Sequence, residues 1–383
     1  MINMDFRLTD EQELLLEGLR EVIARHGTEE YFRDCDENHR YPTEWMQAMT
    51  DNGFGLLGVP EEYGGTPVDV LTLMLFTEEA ARLGCPYYFL GRSIQIDDMM
   101  KFGSEEQKRV TMEYAMQGKY AFCLGFTEPQ SGSDSTAITA TATRKNGKVY
   151  ISGHKTFITG ADSVPYMLCM TKDPESTKSA YEACTLWWVP MTAPGVKIEP
   201  LKKVGWHMKN TCEVYLDNVE IEEKDMVGKE GEGFKNLMHN FEIERLQMAA
   251  GSLGQAECAF EDAARYANQR MQFGKPIGSF QLIQEKLVYM AIKIKNMKNL
   301  VYQTAWEKDN GITINTSVAL AKLYCAQSAF EVIDDAMQIL GGIGYADHRV
   351  ARLWRDSRVN RIGGGTDQIM IHIAGRALLK QYK

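Results

Sequence analysis

The sequence predicts an α+β protein whose helices and strands are segregated along the chain. Three observations carry that prediction. Up to about residue 120, apolar residues recur at helical spacing. From about residue 121 the pattern changes to the alternation of strands, and from about residue 233 it is helical again and mostly stays so. Helices, then sheet, then helices is the order of layered α+β folds, whereas a parallel sheet built of βαβ units would alternate. A Rossmann nucleotide site therefore has no context here, and "GGIG" (Gly341 to Gly344) is not its fingerprint. The expected domains are residues 1–120, helical; 121–232, a β-barrel or sandwich; and 233–383, a helical bundle.

Each element has a local reason. "TDEQELLLEGLREVIARHG" opens with Thr9 and has Gln12 three residues later, a capping-box pattern, and Leu14, Leu15, Leu19, Val22 and Ile23 follow at helical spacing. "VPEEYGGTPVD" reads as a turn-rich loop. "AITATATRKNGKVYISGHKTFIT" alternates and contains Asn146-Gly147, a strong hairpin signal. "YEACTLWWVPM" and "TCEVYLDNVEIEE" are also strand-like.

Composition excludes several classes of function. The net charge of -10, with no block of Lys or Arg, argues against a nucleic-acid surface or an anionic membrane patch. The eight cysteines form no C-x-x-C pair and the seven histidines show no clustered spacing, so neither a metal site nor a disulfide framework is expected. No signal peptide or spanning apolar run is visible, and a reducing, cytoplasmic compartment is expected.

Four stretches could carry chemistry. In "NRIGGGTDQIMIHIAGRALL", Gly363, Gly364 and Gly365 interrupt a helical region. Read alone, they are a flexible connection, a close approach to a ligand, or a place where a catalytic side chain is missing. In "GFKNLMHNFEIERLQMAAGSLG", read as one helix, Leu237, Phe241, Glu244 and Met248 fall on one stripe, while Arg245 diverges by roughly 100°. Glu244 on that stripe is either a buried carboxylate paired with a base from another helix or a desolvated one suited to proton transfer. "FTEPQSGSDS" is a turn that could offer N–H groups and hydroxyls to an acceptor-rich ligand, and "KTFITGAD" ends a strand with an aromatic and a threonine.

Taken in order, "VPEEYGG", "FGSEEQK", "TEPQSGSD", "GHKTFITGA", "ERL", "RMQFGKPIGSFQ", "QILGGIGY" and "GGGTDQI" resemble the acyl-CoA dehydrogenase family over essentially the full length. Within the family the chain resembles the bacterial branch of crotonobetainyl-CoA reductases and their fatty-acyl-CoA dehydrogenase relatives. The resemblance implies an N-terminal helical domain, a middle β-domain and a C-terminal four-helix bundle. FAD would be held between the β-domain and the bundles of a homotetramer built as a dimer of dimers.

By position, the resemblance assigns Leu124, Phe126, Thr127, Gly132 and Ser133 to the flavin. It places Phe157 and Thr159 on the flavin ring, with Phe157 standing where many relatives have Trp. Arg270, Phe273, Gln281, Gln338 and Gly342 would grip the FAD of a neighbouring subunit, and Thr366 and Gln368 would complete the same-subunit site. Ser133 and Arg245 match positions that touch the CoA arm. "CPYYFLGRSIQIDDMM" falls where relatives line the acyl pocket, which makes Tyr87, Tyr88, Gln95 and Met99 candidates for the acyl group or, equally, for the core.

Many relatives carry the catalytic Glu in the loop, in Tyr-Glu-Gly-Thr. Here the matching residue is Gly364, so the resemblance moves the base to Glu244, the helix position used by isovaleryl- and long-chain-type dehydrogenases. The implied reaction interconverts a saturated acyl-CoA and its trans-2-enoyl-CoA. Glu244 moves the α-proton, flavin N5 takes or gives the β-hydride, and the Gly364 N–H and a flavin ribityl hydroxyl polarise the thioester oxygen. An electron-transferring flavoprotein is the implied redox partner. The alternatives are an oxygen-using acyl-CoA oxidase or flavin monooxygenase on the same fold, or a non-catalytic, nucleic-acid-associated member, which the acidic balance opposes. His207, where many relatives have Arg, has no assigned role.

Overall fold

The computed structural model describes residues 7–179, 181–238, 241–346 and 348–383. Among them the predicted order holds. Six α-helices come first: α1 (Asp10–His26), α2 (Glu29–Glu37), α3 (Thr43–Asp51), α4 (Val70–Arg82), α5 (Arg92–Phe102) and α6 (Glu105–Met116). Strands follow: β1 (Phe122–Gly125), β2 (Thr141–Lys145), β3 (Lys148–Thr159), β4 (Tyr166–Lys172), β5 (Cys184–Pro190), β6 (Val196–Pro200), β7 (Thr211–Ile221) and β8 (Met226–Val227). The rest is helical apart from the short pair β9 (Met271–Gln272) and β10 (Lys275–Pro276): α7 (Gly233–Met238), α8 (Phe241–Gln269), α9 (Gln281–Asp309), α10 (Asn315–Leu340), α11 (Gly342–Tyr345), α12 (Arg349–Ser357) and α13 (Asp367–Gln381).

The chain packs as two compact units. One joins the described residues up to Asp34 to Pro67–Leu90 and Arg245–Lys383; the other takes Cys35–Thr66 and Gly91–Glu244. In the helical unit, α1 begins with the predicted capping box: Thr9 Oγ1 accepts from the Gln12 N–H and the Gln12 side chain accepts from the Thr9 N–H. Small residues let the helices of this unit approach closely. A Cβ on Gly254 of α8 would lie 2.1 Å from the Glu78 carbonyl of α4, and one on Gly251 would enter the Tyr87 ring. Inside sits a polar cluster in which Glu78 accepts from Tyr302 Oη at 2.7 Å and from Lys298 Nζ at 3.2 Å, while Lys298 also pairs with Glu257 at 2.7 Å. Burial, reinforced by the Glu257 charge, pushes the Glu78 carboxyl up to about 8 against the pull of Lys298.

In the other unit the strands run β6-β7-β3-β2-β4-β5-β8, with β1 parallel to β4. The β2–β3 hairpin turns at Asn146 and Gly147, whose φ values of 52° and 75° are those a two-residue type I′ turn needs. One apolar core (Ile151, Cys169, Trp187, Val214) and a second (Ile96, Met99, Leu168, Trp188, Leu237) complete the unit, the second joining the sheet to α5 and α7.

The expected stripe runs across residues 239–240, which lie outside the described residues: Leu237 is on α7, and Phe241, Glu244 and Met248 are on α8. Phe241 and Glu244 are half-buried and Met248 is buried.

Candidate active site

In the sheet unit the predicted flavin contacts gather around the ends of β1 and β3. Leu124 lies on β1, half-buried, and Phe126 follows it. The Phe126 ring sits 6.1 Å from Phe234 and 5.9 Å from Phe241, which is on the first turn of α8 three residues before Glu244. A flavin-contact candidate and the proposed base are thus tied to the same helical turn within one unit.

The loop after β1 is held from below by a buried ion pair. Lys155 Nζ donates to Glu128 Oε1 at 2.7 Å, with side chains 0% and 1% exposed, and to the Phe126 carbonyl at 3.3 Å. Glu128 also accepts from the N–H groups of Thr139 and Ala140, at 2.7 and 3.1 Å. Burial would raise the Glu128 carboxyl, but the Lys155 charge and these hydrogen bonds outweigh it and leave it below the usual carboxylate range. With its base fixed, the loop tip is open: Gly132 and Ser133 are exposed and nothing lies within 4 Å of a Cβ at Gly132.

Phe157 is presented by an irregularity. Between Lys155 and Ile158 the pairing of β3 with β7 shifts by one residue, and Phe157 takes φ 57°. A bulge of this kind re-aims a side chain. The ring stands 66% exposed although its neighbours Thr156 and Ile158 are buried. An aromatic held in the left-handed region and left in solvent has no packing reason, but it suits a planar ligand. Thr156 N–H donates to the Thr127 carbonyl at 2.9 Å, which ties the two segments together, and Thr159 Oγ1 lies 3.4 Å from Thr211 Oγ1.

In the helical unit, Gly363–Gly365 joins α12 and a following short turn to α13. Gly364 and Gly365 have φ 64° and 104°, which glycine adopts freely and other residues rarely do. The Gly363 N–H donates to the Val359 carbonyl at 2.9 Å, Arg245 Nε donates to the Gly364 carbonyl at 2.9 Å, and Lys322 Nζ donates to the Gly365 carbonyl at 2.5 Å. Among the described residues, the Gly364 N–H meets no acceptor. Thr366 caps α13, its Oγ1 accepting from the Ile369 N–H at 3.3 Å, and Gln368 is exposed.

The remaining candidates separate. Arg270, Phe273, Gln281, Gln338 and Gly342 are all solvent-exposed, with Phe273 at 92%. Tyr87 is buried, with its hydroxyl on Asn360 Oδ1 at 2.7 Å, and Met99 is buried in the second core of the sheet unit, so both occupy core positions. Tyr88 and Gln95 are half-buried. His207 stacks on His39, with ring centres 4.5 Å apart, and its Nδ1 is 3.6 Å from Asp36.

Glu128, Lys155, Met248 and Lys322 escaped the sequence reading as a set of anchors. The signal for two of them was present. Lys155 occupies an inward position of β3, and Lys322 shares the buried stripe Val318, Cys325, Ala329 of α10, where a lysine is out of place.

Three family descriptions match in chain order: "Acyl-CoA dehydrogenase, N-terminal domain" over residues 9–119, "middle domain" over 123–219 and "C-terminal domain" over 231–379. The chain belongs to the acyl-CoA dehydrogenase family. It is 59% identical over 382 residues to the probable acyl-CoA dehydrogenase YdiO of Escherichia coli strain K12, covering 99% of this chain and 100% of that protein. Among solved structures it is similar to butyryl-CoA dehydrogenase from Megasphaera elsdenii, with 31% identity, a TM-score of 0.90 and coverage of 98% and 100%. It is also similar to a chain from a study of the electron transferring flavoprotein of Acidaminococcus fermentans, at 32% identity, a TM-score of 0.91 and the same coverage. As a family member the protein is an oxidoreductase acting on the CH–CH bond of acyl-CoA, in a family that typically binds FAD. Its three-domain fold, helical at both ends with a sheet between, is the one the resemblance implied. No helix among the described residues is long and apolar enough to cross a membrane.

Proposed function

We propose that this acyl-CoA dehydrogenase binds FAD and interconverts a saturated acyl-CoA and its trans-2-enoyl-CoA, with Glu244 as the base. The observation that carries this reading is the glycine loop. Residue 364 offers no side chain but keeps an N–H without an acceptor among the described residues, and Glu244 is on the first turn of the helix whose Met248 packs against that glycine.

Exposed Phe157 in its bulge and open Gly132 and Ser133 would hold the flavin of this chain's FAD, and exposed Arg270 and Phe273 the pyrophosphate and adenosine of a neighbouring subunit's; their chemistry fits a planar ring and a pyrophosphate. When bound, FAD exchanges the β-hydride. The chain supplies the rest. Glu244 takes or returns the α-proton, and the Gly364 N–H donates to the thioester oxygen as negative charge develops there, a donor typically worth about 3–4 kcal/mol. Losing the side chain at residue 364 therefore removes a base and keeps the oxyanion donor.

The exposed apolar residues of α9, among them Leu282, Val288, Tyr289 and Ile292, support a homotetramer. An electron-transferring flavoprotein as redox partner, reduction of an enoyl-CoA as the working direction and a cytoplasmic setting rest on the resemblance. Anaerobic titration of the flavin-containing protein with a panel of acyl- and enoyl-CoAs tests the reading. Bleaching by one acyl-CoA, or reoxidation of the reduced protein by its enoyl partner, is expected; an unchanged flavin spectrum across the panel would contradict it.

A further inference from the structure

We propose that Lys322 is a positioning residue, which holds the Gly363–Gly365 loop in the shape that presents the Gly364 N–H. The proposal rests on the reading of Gly364 as the oxyanion donor.

Three consecutive glycines have more backbone freedom than any other tripeptide, and none has a side chain with which to anchor itself. The order of this loop must come from outside it. The structure supplies it on both sides of the peptide unit that carries the Gly364 N–H: the Val359 carbonyl accepts from the Gly363 N–H in the unit before it, and Arg245 and Lys322 donate to the Gly364 and Gly365 carbonyls in the two units after it. With these neighbouring units held, the Gly363–Gly364 unit between them has little room to turn. The Lys322 side chain is 0% exposed, on α10 between Val318 and Cys325.

Its position is not what helix stability alone would select. The loop leads into the N-terminus of α13, a 15-residue helix whose positive end favours carboxylates and disfavours basic groups. Asp367, at the first helical position, meets that preference and is itself held by Arg361 at 2.8 Å and by Gln327 at 3.0 Å. Lys322 and Arg245 are brought to this end against the preference, and each donates to a loop carbonyl there. A lysine in that place orders the loop, since a buried carbonyl with a basic donor makes a stronger bond than it would with a neutral one.

Lys322→Met retains most of the apolar stem and removes the donor; Lys322→Gln offers a donor on a shorter arm. Both are made as flavin-containing protein and read in two ways. In hydrogen–deuterium exchange without substrate, a peptide spanning residues 362–366 should exchange roughly tenfold faster in Lys322→Met, with Lys322→Gln between it and the parent, while α10 itself keeps its protection. In stopped flow at saturating acyl-CoA, flavin reduction should fall about 10–100-fold with KM within roughly twofold, because a misplaced donor is missed chiefly in the transition state. Unchanged loop exchange, or a defect confined to KM, overturns the proposal. So does failure of both variants to fold, which would assign the lysine to core stability. If no acyl-CoA reduces the parent protein, the dehydrogenase reading falls, and loop exchange alone still decides whether Lys322 holds the loop.

Discussion

Met248 fills the space that a side chain at Gly364 would need: a Cβ built on Gly364 would lie 2.7 Å from Met248 Sδ. The two residues are a matched pair. Met248 is also one helical turn beyond Glu244 on α8, so the helix that carries the proposed base also fills the place of a loop-borne one. Moving the base back to the loop should therefore need room as well as a carboxylate. The Glu244→Gly, Gly364→Glu double variant should recover only a trace of substrate-driven flavin reduction. It has a side chain forced to φ near 64°, at about 1–3 kcal/mol of strain, and a thioether in its way. Adding Met248→Ala should raise the rate at least about tenfold, given that a displacement near 1 Å can cost about 10²-fold. Equal rates for the double and triple variants would show that Met248 does not gate the exchange.

Arg270 carries a prediction about retention of the cofactor. It is exposed, just beyond α8 and before the β9–β10 hairpin. A guanidinium on a pyrophosphate contributes roughly 1.5–3 kcal/mol. Arg270→Ala should lose FAD on dilution and gel filtration and, with the cofactor shared between subunits, should shift toward smaller species. Full flavin content and unchanged elution after dilution would remove Arg270 from the site.

Phe157 should be retained for binding and not for folding. Its exposed ring and positive φ imply that Phe157→Gly relieves strain of about 1–2 kcal/mol, partly offset by the greater freedom of glycine in the unfolded chain. Flavin-free Phe157→Gly should melt within a few degrees of the flavin-free parent, while its FAD dissociates faster. A large fall in the melting temperature of the flavin-free form would show that the ring packs.

The pH dependence of stability should carry the mark of Glu78. Its folded carboxyl titrates near 8, well above the ordinary unfolded value, so between those limits only the folded state keeps the proton. The contribution is fully present below the unfolded value, declines as pH rises and is lost once pH passes about 8. Glu78→Gln should flatten the loss of stability between pH 5 and 8 and melt higher than the parent at pH 8. Denaturation across that range checks it; parallel curves for variant and parent would contradict the assignment.

What the sequence made legible is local. The Thr9–Gln12 capping box, the Asn146-Gly147 turn and the strand alternation each depend on a few neighbouring residues, and the structure shows each of them. What it hid depends on distant partners. That Tyr87 would bond Asn360, or that Met99 would pack with Leu168, could not be read from the segment that holds them. The bulge at Phe157 was also hidden, because register is set by the facing strand β7. At the site, three glycines announced an unusual loop, but its anchors Arg245 and Lys322 come from two other helices, remote in sequence.

In the proposed reaction Glu244 moves the α-proton because residue 364, a glycine, has no side chain to do so. Glu244→Gln keeps shape and hydrogen bonding and cannot accept that proton. The measurement is anaerobic stopped-flow flavin reduction by acyl-CoA, read beside exchange of the substrate α-protons with deuterated solvent. FAD and acyl-CoA should still bind, while both rates fall by at least the ~10²–10⁴-fold typical of losing a general base. Near-normal reduction and exchange in Glu244→Gln would contradict the account and send the search for the base to Asp367, the nearest acid in sequence to the glycine loop.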